Sequence, residues 1–254
     1  KNLYGSPARI INDLLWHSID YNTIKKTLGD QIHFFDIGAG HGNYGLLLKQ
    51  ISTVNFGSYA GIDIYKDNIY PKEFNHFLDN AINSKKYFTK KTNFIISSSS
   101  LEHIKDDLDT IINITEFFIF NKKKFIQIHL IPSKLCLWLY LWHGWRQYSK
   151  DNLSQIYSEI YKLEQNIDVI AIPLEGMNSF RASLFNVLIP NIISRLILRF
   201  KFLKFLKRLI GKNLNAKNLY SVKKDIKKNN TSNNLFWALI IKSKDVSTGL
   251  RRRV

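Results

Sequence analysis

Cysteine is nearly absent from this 254-residue chain, which contains only Cys136. A single cysteine excludes an intrachain disulfide framework and a zinc site built from cysteines, and it is typical of a reducing compartment. No apolar stretch reaches the roughly 20 residues that a membrane-spanning helix needs, and no N-terminal run has the pattern of a signal peptide. The sequence therefore predicts a cytoplasmic protein.

Acidic residues are also scarce, because 20 Asp and Glu stand against 37 Lys and Arg, a net charge of +17. Residues 195–228 alone contain 12 basic residues and one acidic residue, a charge of +11, whereas residues 1–194 carry 20 basic and 18 acidic residues. An enzyme of nucleic acids is expected to be basic around its cleft as well, so nucleic acid is the less favoured partner. The charge indicates an acidic partner for this late segment, such as a membrane surface.

Aromatic residues are plentiful, with 5 Trp, 12 Tyr and 17 Phe, and 45% of the chain is hydrophobic. This composition excludes disorder for most of the chain, and the length allows one large domain with a smaller cap. Apolar spacing predicts helices over 7–28 and 108–120. Short β-forming runs predict strands at 32–35, 59–64, 76–78, 93–96, 125–130, 169–172 and 236–241, although residues 75–82 also fit a helix. Strands that alternate with helices predict a mainly parallel sheet.

A glycine-rich loop follows the first predicted strand, in the run Asp36-Ile37-Gly38-Ala39-Gly40-His41-Gly42. Glycines between a strand and a helix allow a sharp turn and a close approach of the backbone to a ligand. An acidic residue, Asp63, ends the next strand 21 positions after the last of these glycines, near the spacing expected for binding ribose hydroxyls. The dinucleotide fingerprint requires a glycine where Asn43 stands, so a nicotinamide cofactor is disfavoured.

This loop resembles the first motif of class I S-adenosylmethionine-dependent methyltransferases. Gly61-Ile62-Asp63 is similar to the acidic end of the second strand in that family, and residues 93–104 are similar to its fourth strand with the Leu-Glu-His-Ile continuation. The resemblance implies an α/β fold with a Rossmann-like, mainly parallel seven-stranded sheet, an antiparallel last strand and a helical cap. It places an N-terminal helix in 1–30, the core in 31–175 and 234–245, a basic helical cap in 176–233 and a basic tail in 246–254.

The same resemblance implies S-adenosylmethionine as the cofactor and assigns residues to it. The backbone at Gly38, Gly40 and Gly42 would hold its amino-acid half, with Asp36 nearby, and Asp63 would accept both ribose hydroxyls. Asp79 would receive the adenine amino group, and Ser97 would line the cofactor at the end of the fourth strand.

The acceptor side is less clearly marked in the sequence. A hydroxyl acceptor needs a base, and His103 and His129 are the expected catalytic bases because both follow strands whose ends should open onto the cleft. Glu102 and His143 are further candidates for this role. Within residues 135–164, the aromatic segment 141–148 is the expected substrate contact, through Arg146, His143 and Tyr148. The seven histidines show no metal-ligand spacing, so no metal is predicted.

Residues 128–148 are also similar to methyltransferases of cell-surface polysaccharide pathways. The prediction is therefore O-methylation of a small-molecule or surface-glycan acceptor. The alternatives are an RNA methyltransferase and a non-catalytic module that binds a nucleotide-like ligand. The sequence does not define the oligomeric state.

An amphipathic helix is predicted within the basic segment, with apolar positions between Phe202 and Ile210 on one side and basic positions between Lys201 and Lys212 on the other. Its apolar side can pack on the core as a cap. Alternatively, residues 195–212 can lie on the inner face of an anionic membrane, where a lipid-linked acceptor would be found.

Overall fold

Seven strands form one sheet in the computed structural model of the chain, which describes residues 5–65, 69–139, 144–174, 176–189, 202–228 and 234–250. The strands are β1 (Ile32–Ile37), β2 (Phe56–Asp63), β3 (Asn75–Leu78), β4 (Phe94–Ser98), β5 (Ile126–Pro132), β6 (Ile167–Leu174) and β7 (Phe236–Ser243). Their order is β3-β2-β1-β4-β5-β7-β6; β7 is antiparallel to β5 and β6 on its two sides, and the other neighbouring strands pair in parallel. The predicted sheet with an antiparallel last strand is confirmed.

The helices cover both faces of this sheet. They are α1 (Pro7–Ser18), α2 (Tyr21–Leu28), α3 (Asn43–Ile51), α4 (Asp107–Phe120), α5 (Lys150–Leu163), α6 (Met177–Ser183) and α7 (Phe202–Lys228). Side chains of α1, α2, α3 and α7 join the core on one face, and those of α4 and α5 join it on the other. Every residue of β1 is buried, including His33 and Asp36, as expected for a parallel strand covered on both sides.

The helix predicted over 7–28 is wrong in one respect, because it is two helices. Ile19 leaves helical geometry with ψ 131°, and the Asp20 carboxylate then accepts hydrogen bonds from the backbone of Asn22 and Thr23 at 3.0 and 3.2 Å. An acceptor at this position satisfies the free N–H groups of a new helix. Asp20 also donates its own N–H to the carbonyl of Gly249 at 2.7 Å, which ties the turn to the last part of the described chain.

A helical cap follows β6, as predicted. It consists of α6, which continues into a π-helical turn over Leu184–Leu188, and of α7. The Asp225 carboxylate of α7 accepts hydrogen bonds from the backbone N–H groups of Gly176, Asn178 and Ser179 at 2.7–3.2 Å. The cap also contacts the start of the chain, because Asn218 donates to the carbonyl of Gly5 at 3.0 Å.

The predicted amphipathic face of the basic segment cannot be compared with the structure. Residues 190–201, and the side chains of residues 202–213 at the start of α7, lie outside the described part. Within the described ranges, no helix combines the length and the apolar character that crossing a membrane requires.

Candidate functional site

The glycine loop joins β1 to α3 at the carboxyl edge of the sheet. The N–H groups of Gly38 and Ala39 both donate to the carbonyl of Ile62 at 2.9 and 3.1 Å, which fixes the loop against the end of β2. Gly42 immediately precedes α3 as its N-cap. The strand-loop-helix arrangement that the sequence predicts is therefore present, and the N-terminal end of α3 opens onto the loop, where free N–H groups favour anionic groups.

Two of these glycines have different reasons for lacking a side chain. A Cβ at Gly38 would lie 2.4 Å from the Cβ of Ser100, so the loop packs directly on the chain that follows β4. Gly40 has φ +50°, and its Cβ would meet no atom within 4 Å. The space beside Gly40 is thus open, and its backbone conformation is one that side-chain-bearing residues adopt at a cost.

Asp63, the last residue of β2, lies beside this loop. Its Oδ2 accepts the N–H of Gly40 at 2.9 Å, and its Oδ1 accepts the N–H of Tyr65 at 3.1 Å. Two backbone donors fix the carboxylate in one orientation while it lines a cavity. The residue is therefore held where a ligand hydroxyl can reach it.

Asp36 lies beneath the loop rather than at its surface. Its side chain is buried, and the hydroxyl of Tyr59 donates to its Oδ2. Burial raises the pKa of Asp36 to about 7; the bond from Tyr59 opposes this shift and the charge of Asp63 adds to it. Asp36 does not line either of the cavities described next, and it supports the loop from below.

Two cavities open along the carboxyl edge of the sheet, and both are lined by Gly38 and Ser99. The first, of about 460 Å³, is named here the Asp63 cavity. It is also lined by Ile62, Tyr65, Asp79, Asn80, Ala81, His103 and Trp145. The second, of about 420 Å³, is named the α1 cavity. It is also lined by Ser6, Arg9, Asn12, Gly40, His41, Tyr44, Ser98, Glu102, Pro132, Gln147 and Phe236.

The Asp63 cavity brings together two of the predicted acidic residues. Asp79 follows β3, and its carboxylate accepts hydrogen bonds from the Asn83 amide at 2.8 Å and the Tyr87 hydroxyl at 2.9 Å. These bonds hold the pKa of Asp79 below its ordinary value, and the bond from Asn83 has the largest effect. His103 lines this same cavity, so it lies on the side of Asp63 and not in the α1 cavity.

Glu102 is the acidic residue of the α1 cavity. Its side chain is 1% exposed, and its Oε2 has no hydrogen-bond partner among the residues that the structure describes. Burial raises the pKa of Glu102 to about 7, with a backbone hydrogen bond opposing the shift. A carboxyl of this kind exchanges its proton near neutral pH.

His129 and Ser97 do not reach either cavity. Both are fully buried in the sheet, where Ser97 Oγ lies 2.8 Å from His129 Nδ1 and the other ring nitrogen lies 3.1 Å from Gln127 Oε1. Burial lowers the pKa of His129 to about 3. The expectation that these two residues open onto the cleft is therefore corrected, because their side chains point into the packed interior. Ser98 and Ser99 line the α1 cavity in their place.

The segment predicted to contact the substrate borders both cavities, although through other residues. Arg146 forms an ion pair with buried Asp107 at 3.1 Å, and the hydroxyl of fully buried Tyr148 donates to the same carboxylate at 2.5 Å. These two side chains thus have a structural partner, and neither lines the Asp63 cavity or the α1 cavity. Trp145 and Gln147 do line the cavities. His143 lies outside the described residues.

Several lining residues were missed by the sequence analysis. Arg9 and Asn12 come from α1, far from the glycine loop in the chain, so no local motif indicated them. Ser99 has φ +52°, which is uncommon for a residue with a side chain and is found at constrained sites. The run of four serines from Ser97 to Ser100 was the available signal. Among the described side chains, no group of three His, Cys, Asp or Glu residues is placed to hold a metal ion.

Known proteins match this chain at the level of family and fold. Residues 17–160, more than half of the chain, match the family model described as "Methyltransferase domain". No curated protein matches the sequence.

Solved structures of methyltransferases share the fold. The plantazolicin methyltransferase BamL, solved with a triazolic desmethylPZN analog and SAH, has 13% identity and a TM-score of 0.55, covering 94% of this chain and 85% of its own. A SAM-dependent methyltransferase from Archaeoglobus fulgidus has 16% identity and a TM-score of 0.52, covering 94% and 95%. With the glycine loop and Asp63 in place, the chain belongs to the methyltransferase-domain family and is a class I S-adenosylmethionine-dependent methyltransferase.

Proposed function

We propose that the chain transfers a methyl group to a hydroxyl of a small polar acceptor, such as a glycan, bound in the α1 cavity. The observation that carries this proposal is a set of polar side chains in the wall of that cavity next to the glycine loop, namely Ser6, Arg9, Asn12, Glu102 and Gln147. A volume of about 420 Å³ falls within the range of small-molecule sites, about 300–1,000 Å³.

The cofactor half of the site fits the Asp63 cavity and the loop. Gly40 lines the α1 cavity, and the open space beside it would admit the amino-acid half of the cofactor where the two cavities meet. The fixed Asp63 carboxylate suits a pair of ribose hydroxyls, which it would bind by charge-assisted hydrogen bonds. Asp79 would face the adenine. When bound, S-adenosylmethionine supplies a methyl group activated by a positively charged sulfur. The two cavities share Gly38 and Ser99, which supports transfer from one to the other at this junction.

The lining also favours a small acceptor over RNA. Among the described residues around the α1 cavity, Arg9 is the one lysine or arginine. An RNA-binding cleft is expected to carry several basic residues that contact phosphates. The preference for a glycan depends in addition on the resemblance of residues 128–148 to methyltransferases of cell-surface polysaccharide pathways.

Product analysis tests this function. The enzyme is incubated with methyl-labelled S-adenosylmethionine and separate pools of glycans, nucleosides, RNA and peptides, and products that gain one methyl group are identified by mass spectrometry. Asp63→Asn serves as the negative control, because loss of the charged ribose acceptor should weaken cofactor binding by about 1.5–3 kcal/mol. Asp109→Asn, on the exposed side of α4, serves as the matched control and should bind the cofactor as the wild type does. Methylation of RNA or peptide alone, or unchanged cofactor binding by Asp63→Asn, would contradict the proposal.

The basic segment bears on where such an acceptor is met. We propose that residues 195–212 bind an anionic membrane surface, on the strength of their charge and their predicted amphipathic pattern. Co-sedimentation with anionic vesicles at low salt, lost when Lys201, Lys204, Lys207 and Arg208 are changed to Glu, is the expected result. A wild-type protein that stays in the supernatant would leave the segment as a cap on the core.

A further inference from the structure

We propose that Glu102 is the catalytic base that takes the proton from the acceptor, an inference that rests on the proposed transfer to a hydroxyl. It lies in the 3₁₀ turn Leu101–His103 directly after the carboxyl end of β4, on the wall of the α1 cavity. The position is the one at which open α/β sheets present their functional groups.

The first argument is the state of the carboxyl group. A buried polar atom without a partner is costly, and such atoms in a folded protein call for a functional explanation. Glu102 Oε2 is one of these atoms within the described structure, and the residue is part of the wall of the α1 cavity. An acceptor hydroxyl in the cavity would supply the missing hydrogen bond.

The backbone of Glu102 is held by the segment that follows β5. Its carbonyl accepts the N–H groups of Trp145 and Arg146 at 2.5 and 3.3 Å. A Cβ at Gly144 would lie 2.5 Å from that carbonyl oxygen, so the segment after β5 can approach this closely only with glycine there. The fixed backbone limits where the side chain can go, as a proton acceptor in a reaction requires.

Titratable groups also lie near Glu102. Its charge acts on the hydroxyl of Tyr148, which donates to Asp107, and Arg9 and His41 line the α1 cavity with it. Burial nonetheless dominates and raises the pKa of Glu102 to about 7. A base with a pKa near the working pH combines availability with proton affinity.

The histidines are less suitable for this role. His129 is fully buried, and its pKa is lowered to about 3 by burial. His103 lines the Asp63 cavity, on the side assigned to the cofactor. His41 lies on the exposed surface of the glycine loop at the α1 cavity, and it is therefore included as a variant in the test.

The proposed methyl transfer forms two bonds and breaks two. The acceptor oxygen forms a bond to the methyl carbon while its O–H bond breaks and the proton moves to the Glu102 carboxylate. The electron pair of the broken carbon–sulfur bond stays on sulfur, which loses its positive charge. Glu102 afterwards returns the proton to water through the open cavity.

One test needs no acceptor. The pKa of Glu102 is measured by following its side-chain ¹³C carboxyl signal in a pH titration. The signal is assigned by its loss in Glu102→Gln. The titration is done once with S-adenosylmethionine bound and once with S-adenosylhomocysteine bound. A carboxyl that faces the reacting atoms has a lower pKa beside the charged sulfonium than beside the neutral thioether. Equal pKa values in the two complexes would overturn the proposal.

The second test is kinetic. Glu102→Gln keeps the shape of the side chain and should lower kcat by about 10²–10⁴-fold with little change in cofactor affinity, while Glu116→Gln, an exposed carboxylate on α4, should behave as wild type. The wild-type rate should rise with pH to a plateau above about 7, and this dependence should vanish in Glu102→Gln. Retention of the wild-type rate in Glu102→Gln, or the same loss in His41→Gln alone, would refute the role of Glu102.

The two proposals fail in different ways. If amines but no hydroxyl compounds are methylated, the proposed function is wrong, and Glu102→Gln tests the base with the amine acceptor. If no acceptor is found, the ¹³C comparison alone decides whether Glu102 faces the reacting atoms. If a hydroxyl is methylated by Glu102→Gln at the wild-type rate, the proposed function stands and the base is another group.

Discussion

The hydroxyl of Ser97 donates a 2.8 Å hydrogen bond to Nδ1 of His129 across the parallel strands β4 and β5. The direction of this bond follows from the neighbouring groups. His129 Nε2 contacts the side-chain oxygen Oε1 of Gln127, and the side-chain nitrogen of Gln127 donates to the Thr115 hydroxyl at 2.9 Å. The imidazole is therefore neutral, with its proton on Nε2. It serves as a link in a buried chain of polar groups between the sheet and α4.

His129 should make the protein sensitive to acid. Its pKa is about 3 in the folded state against an ordinary 6.5, so the unfolded chain binds a proton first and stability is lost as the pH falls below 6.5. Between pH 7.5 and pH 5 the loss is about 2 kcal/mol. His129→Asn should be less stable at neutral pH, yet the difference from wild type should shrink by this amount at pH 5 in urea titrations. A constant difference would show that His129 does not cause the sensitivity.

Glu102 should have the opposite pH dependence. Its pKa is about 7 in the folded state against an ordinary 4.5, so its contribution is present below pH 4.5 and is lost as the pH rises through 7. Glu102→Gln removes the buried charge and should stabilise the ligand-free protein at pH 8 by up to about 3 kcal/mol, with little effect at pH 4.5. Thermal or urea unfolding at the two pH values measures this. Equal stability of both proteins at pH 8 would contradict it.

Gly40 should be required for cofactor binding more than for folding. Gly29 provides a matched control, because both glycines have positive φ and in both cases a Cβ would meet open space. Replacement by Ala should cost each protein about 1 kcal/mol of stability through backbone strain. Only Gly40→Ala should raise the dissociation constant for S-adenosylmethionine in calorimetry, by tenfold or more. Equal affinities for the two variants would exclude the loop as the cofactor site.

Asp225 should stabilise the helical cap. It is 5% exposed and accepts four hydrogen bonds from the start of α6, so Asp225→Ala leaves buried N–H groups unpaired and should cost about 2–4 kcal/mol. Asp245 forms a 2.5 Å ion pair with Lys124 at the surface, with both side chains about half exposed. Asp245→Ala should therefore cost less than about 1 kcal/mol. Similar losses in urea unfolding for the two variants would disprove this assignment.

The sheet and the glycine loop could be predicted because their signals are local. β1 and β5 are buried along their whole length and are rich in apolar β-forming residues, although each also contains two buried polar residues, and a glycine loop between strand and helix is a short contiguous motif. The break between α1 and α2 was missed because apolar spacing continues through Ile19, and the capping bonds of Asp20 outweigh it.

The acceptor side could not be predicted in the same way. Tyr148 and Arg146 look like substrate contacts in the sequence, but their partner Asp107 lies about 40 positions earlier in the chain and meets them only in the folded state. The end of β4 shows a related difficulty, because the four adjacent serines are alike in sequence. Strand geometry points Ser97 toward His129, whereas Ser98 and Ser99 face the α1 cavity.

The division of the site between its two cavities has an evolutionary consequence. The Asp63 cavity is built mainly from strand ends that the fold itself requires, whereas one wall of the α1 cavity comes from the start of α1, a helix that precedes the core. The residue Gly5, just before that helix, is tied to the cap by Asn218. If the α1 cavity holds the acceptor, as proposed, substitutions at Arg9 and Asn12 would alter which molecule is methylated while Asp63 and Asp79 stay in place. Such an arrangement lets a lineage diversify its products while one ancestral cofactor site is kept.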